Sequence, residues 1–210
     1  MHTLFESPEL LAIDKPAGVP TIPDRFGSPS VYGQLQDLRG EKLWVVHRLD
    51  REVTGVLVFA RNSQAHRALS LAFEHHQVVK RYEAWTTGEP PTDGQAFRWE
   101  SLLLRGKKRS YVHPAGKQAI TDAQFVGVTT DGRLRFALSP QTGRNHQLRV
   151  HLASAGYVIC GDALYGSTVP WRAAEIALRA VSLRVQAGAL GPTDLTIEAP
   201  SLADDRPTRE

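Results

Sequence analysis

The sequence predicts an α+β fold, a mixed and largely antiparallel sheet with a few flanking helices. Three observations predict it. Short β-branched or alternating runs recur at residues 10–14, 44–46, 56–60, 78–85, 97–104, 120–128, 134–138, 178–185 and 195–199, with short turns between many of them. Helical spacing is confined to residues 31–38, 63–73 and 144–155. No linker rich in Pro, Gly or Ser and no internal repeat interrupts the 210 residues, of which 41% are hydrophobic and 22% charged, so one domain spanning 1–210 is expected.

Residues 10–14 read as a strand that ends at Lys15-Pro16-Ala17-Gly18-Val19-Pro20, where two prolines and a glycine fix a turn. Residues 23–29 read as loop, and 31–38 as a short helix. Trp44, Val45 and Val46 lead through a charged link to a second apolar run, 56–60, so two buried strands flank that link. Asn62 is placed to cap the next helix, which reaches about Phe73. His75 and His76 fall near its C-terminal end, where polar side chains suit exposed carbonyls.

Alternation in the run 78–85 puts Val78, Lys80, Tyr82 and Ala84 on one face. A lysine and a tyrosine among small apolar residues are unusual for a plain core strand. Residues 89–94 form a turn, and 111–117, with Pro114 and Gly116, read as loop. Residues 201–210 are polar and expected to fray.

Composition narrows the function. Cys160 is the single cysteine, so an intrachain disulfide framework and a cysteine-based zinc site are excluded. His146 and His151 lie five apart and H-E-x-x-H is absent, so no metal site is expected. Neither G-x-G-x-x-G nor a P-loop occurs, consistent with no nucleotide cofactor. The N-terminus carries Glu6 and Glu9 and lacks a basic start, and no apolar run approaches bilayer length, so a cytoplasmic protein without membrane association is expected. A net charge of +3 permits nucleic-acid binding. Its densest cationic run, Arg105-Gly106-Lys107-Lys108-Arg109, is flanked by Leu102, Leu103, Leu104 and Tyr111 and suits phosphates. Such contacts give salt-dependent affinity rather than sequence choice.

Two stretches concentrate chemistry. In the first, Asp50 follows His47-Arg48-Leu49 and precedes Arg51. Nearby positive charge favours an ionised carboxylate, which suits a nucleophile or base acting on a polyanion. The second runs from Ser139 to Leu152. Apolar positions Leu148, Leu152 and Ala155 recur at helical spacing from about Arg144, and Gly156 is a stop. This places Arg144 at a helix N-terminus, where a cation needs a compensating carboxylate or phosphate, with Asp50 as the natural candidate.

Together these stretches resemble the RluA-type pseudouridine synthases. His47-Arg48-Leu49-Asp50 and Gly55 are similar to the family's H-R-L-D-x-x-T-S-G, with Val53 and Thr54 where the pattern has Thr and Ser. Residues 14–20 resemble its N-K-P-x-G opening, Lys80-Arg81-Tyr82-Glu83-Ala84 its K-x-Y-x-A, and residues 142–152 its T-G-R-x-H-Q-I-R-x-H-L, with Leu148 for isoleucine. Gly161-Asp162-Ala163-Leu164-Tyr165-Gly166 resembles its G-D-x-x-Y-G turn.

The resemblance implies the pseudouridine synthase fold with a central catalytic cleft, and isomerisation of uridine in RNA without a cofactor. It implies that Asp50 acts on the ribose as nucleophile or base, Arg144 pairs with Asp50, and Tyr82 stacks on the uracil. A base inside a helix must be extruded; Arg48 is the candidate for filling the vacated stack. The expected partner is a stem-loop of ribosomal or transfer RNA, contacted also by Arg105, Lys107, Lys108 and Arg109. No obligate protein partner and no appended N-terminal RNA-binding domain is evident. The principal alternative is a noncatalytic RNA-binding protein on the same fold; a hydrolase using Asp50 lacks the second carboxylate that glycosidases typically employ.

Overall fold

Seven consecutive buried residues, Thr54–Ala60, form the strand around which the first part of the protein is built. The computed structural model describes residues 1–24 and 27–202, so most of the tail expected to fray lies outside the described residues. Two compact units divide it: Met1–Lys80 with the chain from Ala180 onward, and Arg81–Arg179.

In the first unit, β1 (His2–Glu6) pairs antiparallel with β2 (Leu10–Lys15). Next come α1 (Val31–Arg39) and β3 (Trp44–Val45). β4 (Thr54–Ala60) pairs antiparallel with β2, from Leu10 opposite Ala60 to Lys15 opposite Gly55, and β3 joins it at Ala60 and Phe59. The sequence signal for β4 was its unbroken apolar run, and it is buried on both faces. One face carries Val56, Val58 and Ala60 against Ala65, Leu69 and Ala72 of α2 (Ser63–Glu74). On the alternate face Phe59 meets Tyr32 of α1, so the two helices cover opposite sides. Both helices start at a side-chain cap, expected from the sequence at Asn62 and shown by the structure at Ser30. Ser30 accepts the Gly33 N–H at 3.2 Å, and Asn62 accepts the Ala65 N–H at 2.8 Å.

The second unit contains β5 (Val78–Thr87, from Arg81 on), β6 (Ala96–Arg105), β7 (Ser110–Val112), β8 (Lys117–Val128), β9 (Leu134–Pro140), α3 (Gln147–Ser154) and β10 (Val158–Ile159). Its strand order is β10-β5-β9-β8-β6-β7, with antiparallel neighbours throughout. Phe125 and Phe136 face each other across β8 and β9 with ring centroids 5.6 Å apart. The chain closes with β11 (Leu178–Val185), whose later residues pair with β12 (Leu195–Glu198) in the first unit.

Two expectations are corrected. Residues 111–117 are not simply loop, because Ser110–Val112 pairs with Arg105, Leu104 and Leu103 around a tight turn at 106–109, and only the segment around Pro114 stays irregular. The third helix starts at Gln147 rather than near Arg144. His146 immediately before it has φ 55, a left-handed conformation that a helix cannot include.

Candidate active site

Asp50 sits half-buried in the link between β3 and β4, and the peptides on both sides of it are held by the segment after β2. The Thr21 hydroxyl donates to the Leu49 carbonyl at 2.9 Å and accepts the Leu49 N–H at 3.0 Å. On the other side, the Arg51 carbonyl accepts the Gly18 N–H at 2.9 Å and an Nζ hydrogen of Lys15 at 3.2 Å. Lys15 is wholly buried, and its ammonium also donates to the Pro16 carbonyl at 2.7 Å. Buried ammonium groups persist where donors are satisfied, so this lysine belongs to the scaffold rather than the surface. The carboxylate is thus carried on a backbone fixed at residues 49 and 51. Arg48, beside it in sequence, is exposed.

Two further residues set the loop. His47 Nε2 accepts the Val58 N–H at 3.0 Å, and its ring stacks on Phe73 at 5.3 Å. Burial, with Lys80 nearby, pushes this imidazole down to about 3, in keeping with an acceptor nitrogen that must stay unprotonated. Gly55 has φ +105, and a Cβ there would lie 2.0 Å from the Ala180 carbonyl oxygen. No other residue fits at that point of β4.

Along β5, Val78 is buried, Lys80 and Tyr82 are half-buried, and Ala84, Trp85 and Thr86 are all buried, so burial rises toward the end of the strand rather than alternating. Burial holds Lys80 down to about 8. Tyr82 pairs with Leu138 of β9, which fixes its height on the sheet.

Arg144 lies three residues ahead of α3, in a loop, so the helix-end argument for a compensating anion does not apply to it. Its Nε donates to the Gln118 carbonyl of β8 at 2.9 Å, and the residue is exposed. The loop itself is tied down by Gln147, whose amide uses all its capacity. Its oxygen accepts the Thr142 hydroxyl at 2.7 Å and the Arg144 N–H at 3.0 Å. Its nitrogen donates to the Ile120 carbonyl at 2.9 Å and the Thr121 hydroxyl at 3.0 Å. Below it, His151 bridges Thr121 through Nδ1 and Ser101 through Nε2, each at 2.9 Å, and burial pushes it down to about 4.

A second clamp stands on the other side of the loop. Arg149 and Asp162, both almost fully buried, form a two-pronged ion pair with both contacts at 2.7 Å. Arg149 also lies over the Tyr165 ring, 5.1 Å from its centroid. The Tyr165 hydroxyl donates to the Ser110 carbonyl and accepts the Ser110 N–H, both at 3.0 Å. A phenol has one hydrogen, so His146, 3.0 Å away, must donate to it from Nδ1. Ser110 in turn accepts from Asn145 at 3.1 Å. The turn end of the β6–β7 hairpin is therefore fastened to the loop that carries Arg144. Arg105, Lys107, Lys108 and Arg109 are all exposed on the turn of that hairpin.

Of the residues singled out in the sequence, Asp50 and Arg48 belong to the first unit. Tyr82, Arg144 and the basic turn belong to the second. The holders of these residues (Lys15, Thr21, Gln147, His151, Arg149, Asp162 and Tyr165) were not anticipated in that role. All but Thr21 lie inside the shared motifs, which was their signal. Among the described residues, no group of three or more His, Cys, Asp or Glu is arranged to hold a metal.

Residues 9–154 match the family model for RNA pseudouridylate synthase. An uncharacterized RNA pseudouridine synthase of Zymomonas mobilis is 39% identical over 206 residues, spanning 95% of this chain and 93% of its own. The dual-specificity RNA pseudouridine synthase RluA of Escherichia coli is 31% identical over 207 residues, with 94% and 92% covered. tRNA pseudouridine synthase C of Haemophilus ducreyi is 35% identical over 181 residues, with 79% and 74% covered. Among solved structures, human RNA pseudouridylate synthase domain containing 1 superposes with a TM-score of 0.77 over 95% of this chain and 83% of its own, at 23% identity, a likeness of fold.

Proposed function

The chain belongs to the RluA-type RNA pseudouridylate synthase family and isomerises uridine in RNA to pseudouridine, and from that premise we propose which of its residues do the work. Asp50 acts on the ribose of the target uridine, as nucleophile at C1′ or as base toward the C2′ proton. The N1–C1′ bond breaks, the uracil turns while bound, C5 joins C1′, and the C5 hydrogen leaves as a proton while N1 gains one. Atoms and electrons balance without a cofactor. Arg144 is the cation assigned to pair with the Asp50 carboxylate during the reaction, and Tyr82 gives the flat π surface against which uracil detaches and turns. Arg48 fills the space left in the stack when the nucleotide is extruded, and Arg105, Lys107, Lys108 and Arg109 hold phosphates.

The observation that carries this reading is the fixed backbone around Asp50. Hydrogen bonds from Thr21 to residue 49 and from Gly18 and Lys15 to residue 51 fix the backbone on both sides of Asp50, which supports a role for its carboxylate that depends on position. The names of the relatives extend to transfer RNA, dual specificity and the large ribosomal subunit. On that basis the substrate is a stem-loop of ribosomal or transfer RNA, whose unpaired bases cost less to extrude. Among the described residues no helix is long and apolar enough to cross a membrane, and the proposed setting is the cytoplasm, with RNA as the partner.

The deciding experiment measures tritium released from RNA carrying 5-tritiated uridine. Wild-type protein releases it, and leaves unlabelled RNA of unchanged mass. Asp50→Asn abolishes release while keeping RNA binding. Full turnover by Asp50→Asn overturns the assignment.

A further inference from the structure

The outer face of the β6–β7 hairpin carries an aromatic surface beside its cationic turn. Alternation along β6 turns Leu103 inward to Ala119 and Val150, and leaves Leu102 and Leu104 facing out. Tyr111 pairs with Leu104, and the His113 N–H donates to the Leu102 carbonyl at 2.9 Å, so Tyr111 and His113 stand opposite those two leucines. Tyr111 is 42% exposed and Leu102 40% exposed. Exposed apolar side chains grouped this way on a sheet face mark a contact surface more often than singly scattered ones.

The Tyr111 ring is held ready for a partner. It packs over Gly106, where an added Cβ would sit 3.2 Å from Tyr111 Cε1 and 2.8 Å from the Arg109 carbonyl oxygen. His113 meets it edge-to-face at 5.9 Å, and His113 is itself fixed because its Nδ1 accepts the Ala115 N–H at 3.1 Å. A ring already ordered loses little freedom when a second flat group stacks on it. Four exposed cations, Arg105, Lys107, Lys108 and Arg109, surround the turn within six residues of Tyr111, so the occupant is a polyanion with flat groups. Leu102 also pairs with Gln118, whose carbonyl receives Arg144, so the surface begins about one strand spacing, roughly 5 Å, from the strand that holds that guanidinium.

We propose that Tyr111, braced by Gly106 and His113 beside the Arg105–Arg109 turn, is a stacking site for an unpaired base of the RNA other than the target uridine. This deepens the RNA-isomerase reading and rests on it. The site selects for single-stranded loops, because a base inside a duplex offers no free π face, whereas the cations of the turn grip either form.

The test compares binding of two fluorescein-labelled RNAs, a stem-loop with an all-uridine loop and the same stem closed as a blunt duplex, across a salt series. Tyr111→Ala loses about tenfold in affinity for the stem-loop, little for the duplex, and keeps the salt slope. Tyr111→Trp retains stem-loop affinity. The Lys107→Ala/Lys108→Ala variant weakens both RNAs and flattens the slope by roughly two counterions. Equal affinity of Tyr111→Ala and wild type for the stem-loop overturns the proposal, as does an equal loss on both RNAs. A change in sedimentation of RNA-free protein on Tyr111→Ala, without change in RNA affinity, assigns the surface to protein contacts instead and likewise overturns it. Tritium release by wild type and Asp50→Asn is read separately, so failure of the catalytic assignment stays distinguishable.

Discussion

The hydroxyl of Thr21 and the backbone of Leu49 exchange two hydrogen bonds, one in each direction, across 28 residues of chain. Both residues are buried, so neither Leu49 group has water as an alternative. Thr21→Val keeps the shape and removes both bonds, leaving a buried N–H and C=O unpaired, at a cost of about 1–3 kcal/mol each. Because Leu49 precedes Asp50, the same change loosens the proposed catalytic carboxylate. The expected result is a lower midpoint in urea denaturation and a fall of about tenfold to a hundredfold in kcat with KM little changed. Thr21→Ser, which restores the hydroxyl, recovers most of both. Unchanged kcat in Thr21→Val removes Thr21 from the positioning role.

Some of this was legible in the sequence and some was not. β4 and β8 announced themselves because burial imposes a pattern on consecutive residues, continuous in one and alternating in the other. β7 did not, since three residues carry too little pattern and its pairing depends on the 106–109 turn and on Tyr165 reaching Ser110 from 55 positions away. The start of α3 was misjudged for a related reason. Apolar spacing from Leu148 marks the helix, but its first residue is set by Gln147 bonding outward to residues 120, 121, 142 and 144. In the site, charge context picked out Asp50, and a motif picked out Tyr82. Nothing in the sequence marks Lys15 as buried, and only the fold shows it wholly enclosed.

Gly55 and Ala180 set a steric limit. A Cβ at position 55 lies 2.0 Å from the Ala180 carbonyl oxygen, and φ +105 is strained for any side chain. The Ala180 atoms that the Cβ would meet are all backbone, so no side-chain rotation relieves the clash. Gly55→Ala therefore costs on the order of 4 kcal/mol or more, enough to abolish cooperative thermal unfolding in a protein of ordinary stability. A variant that melts within a few degrees of wild type contradicts the close approach of these strands.

Arg149 and Asp162 form a buried pair, and breaking one partner strands the other's charge. Arg149→Met and Asp162→Asn each lose about 3–5 kcal/mol in urea denaturation. The combined variant Arg149→Met/Asp162→Asn loses much less than the sum, because no charge is left without its partner. Additive losses, read from the same denaturation curves, contradict the pairing.

Acid should destabilise the fold before its carboxylates titrate. His47 is held down to about 3 by burial and then by Lys80, and His151 down to about 4 by burial. Unfolded, each has the ordinary value of 6.5. Between 6.5 and the folded value the unfolded chain binds a proton that the folded chain does not, so stability rises with pH. The contribution is fully present above 6.5 and is lost as pH falls, levelling only near 4 for His151 and 3 for His47. From about pH 6.5 to about pH 5 each imidazole accounts for a loss of about 2 kcal/mol, while unpaired carboxylates stay largely ionised. Urea denaturation across that window reads the slope directly. His151→Asn is less stable than wild type at neutral pH, because Ser101 and Thr121 lose their bridge, yet its slope is shallower by one proton. A slope identical to wild type would mean that His151 is already protonated in the fold, and the Thr121–His151–Ser101 bridge would have to be redrawn with both ring nitrogens donating.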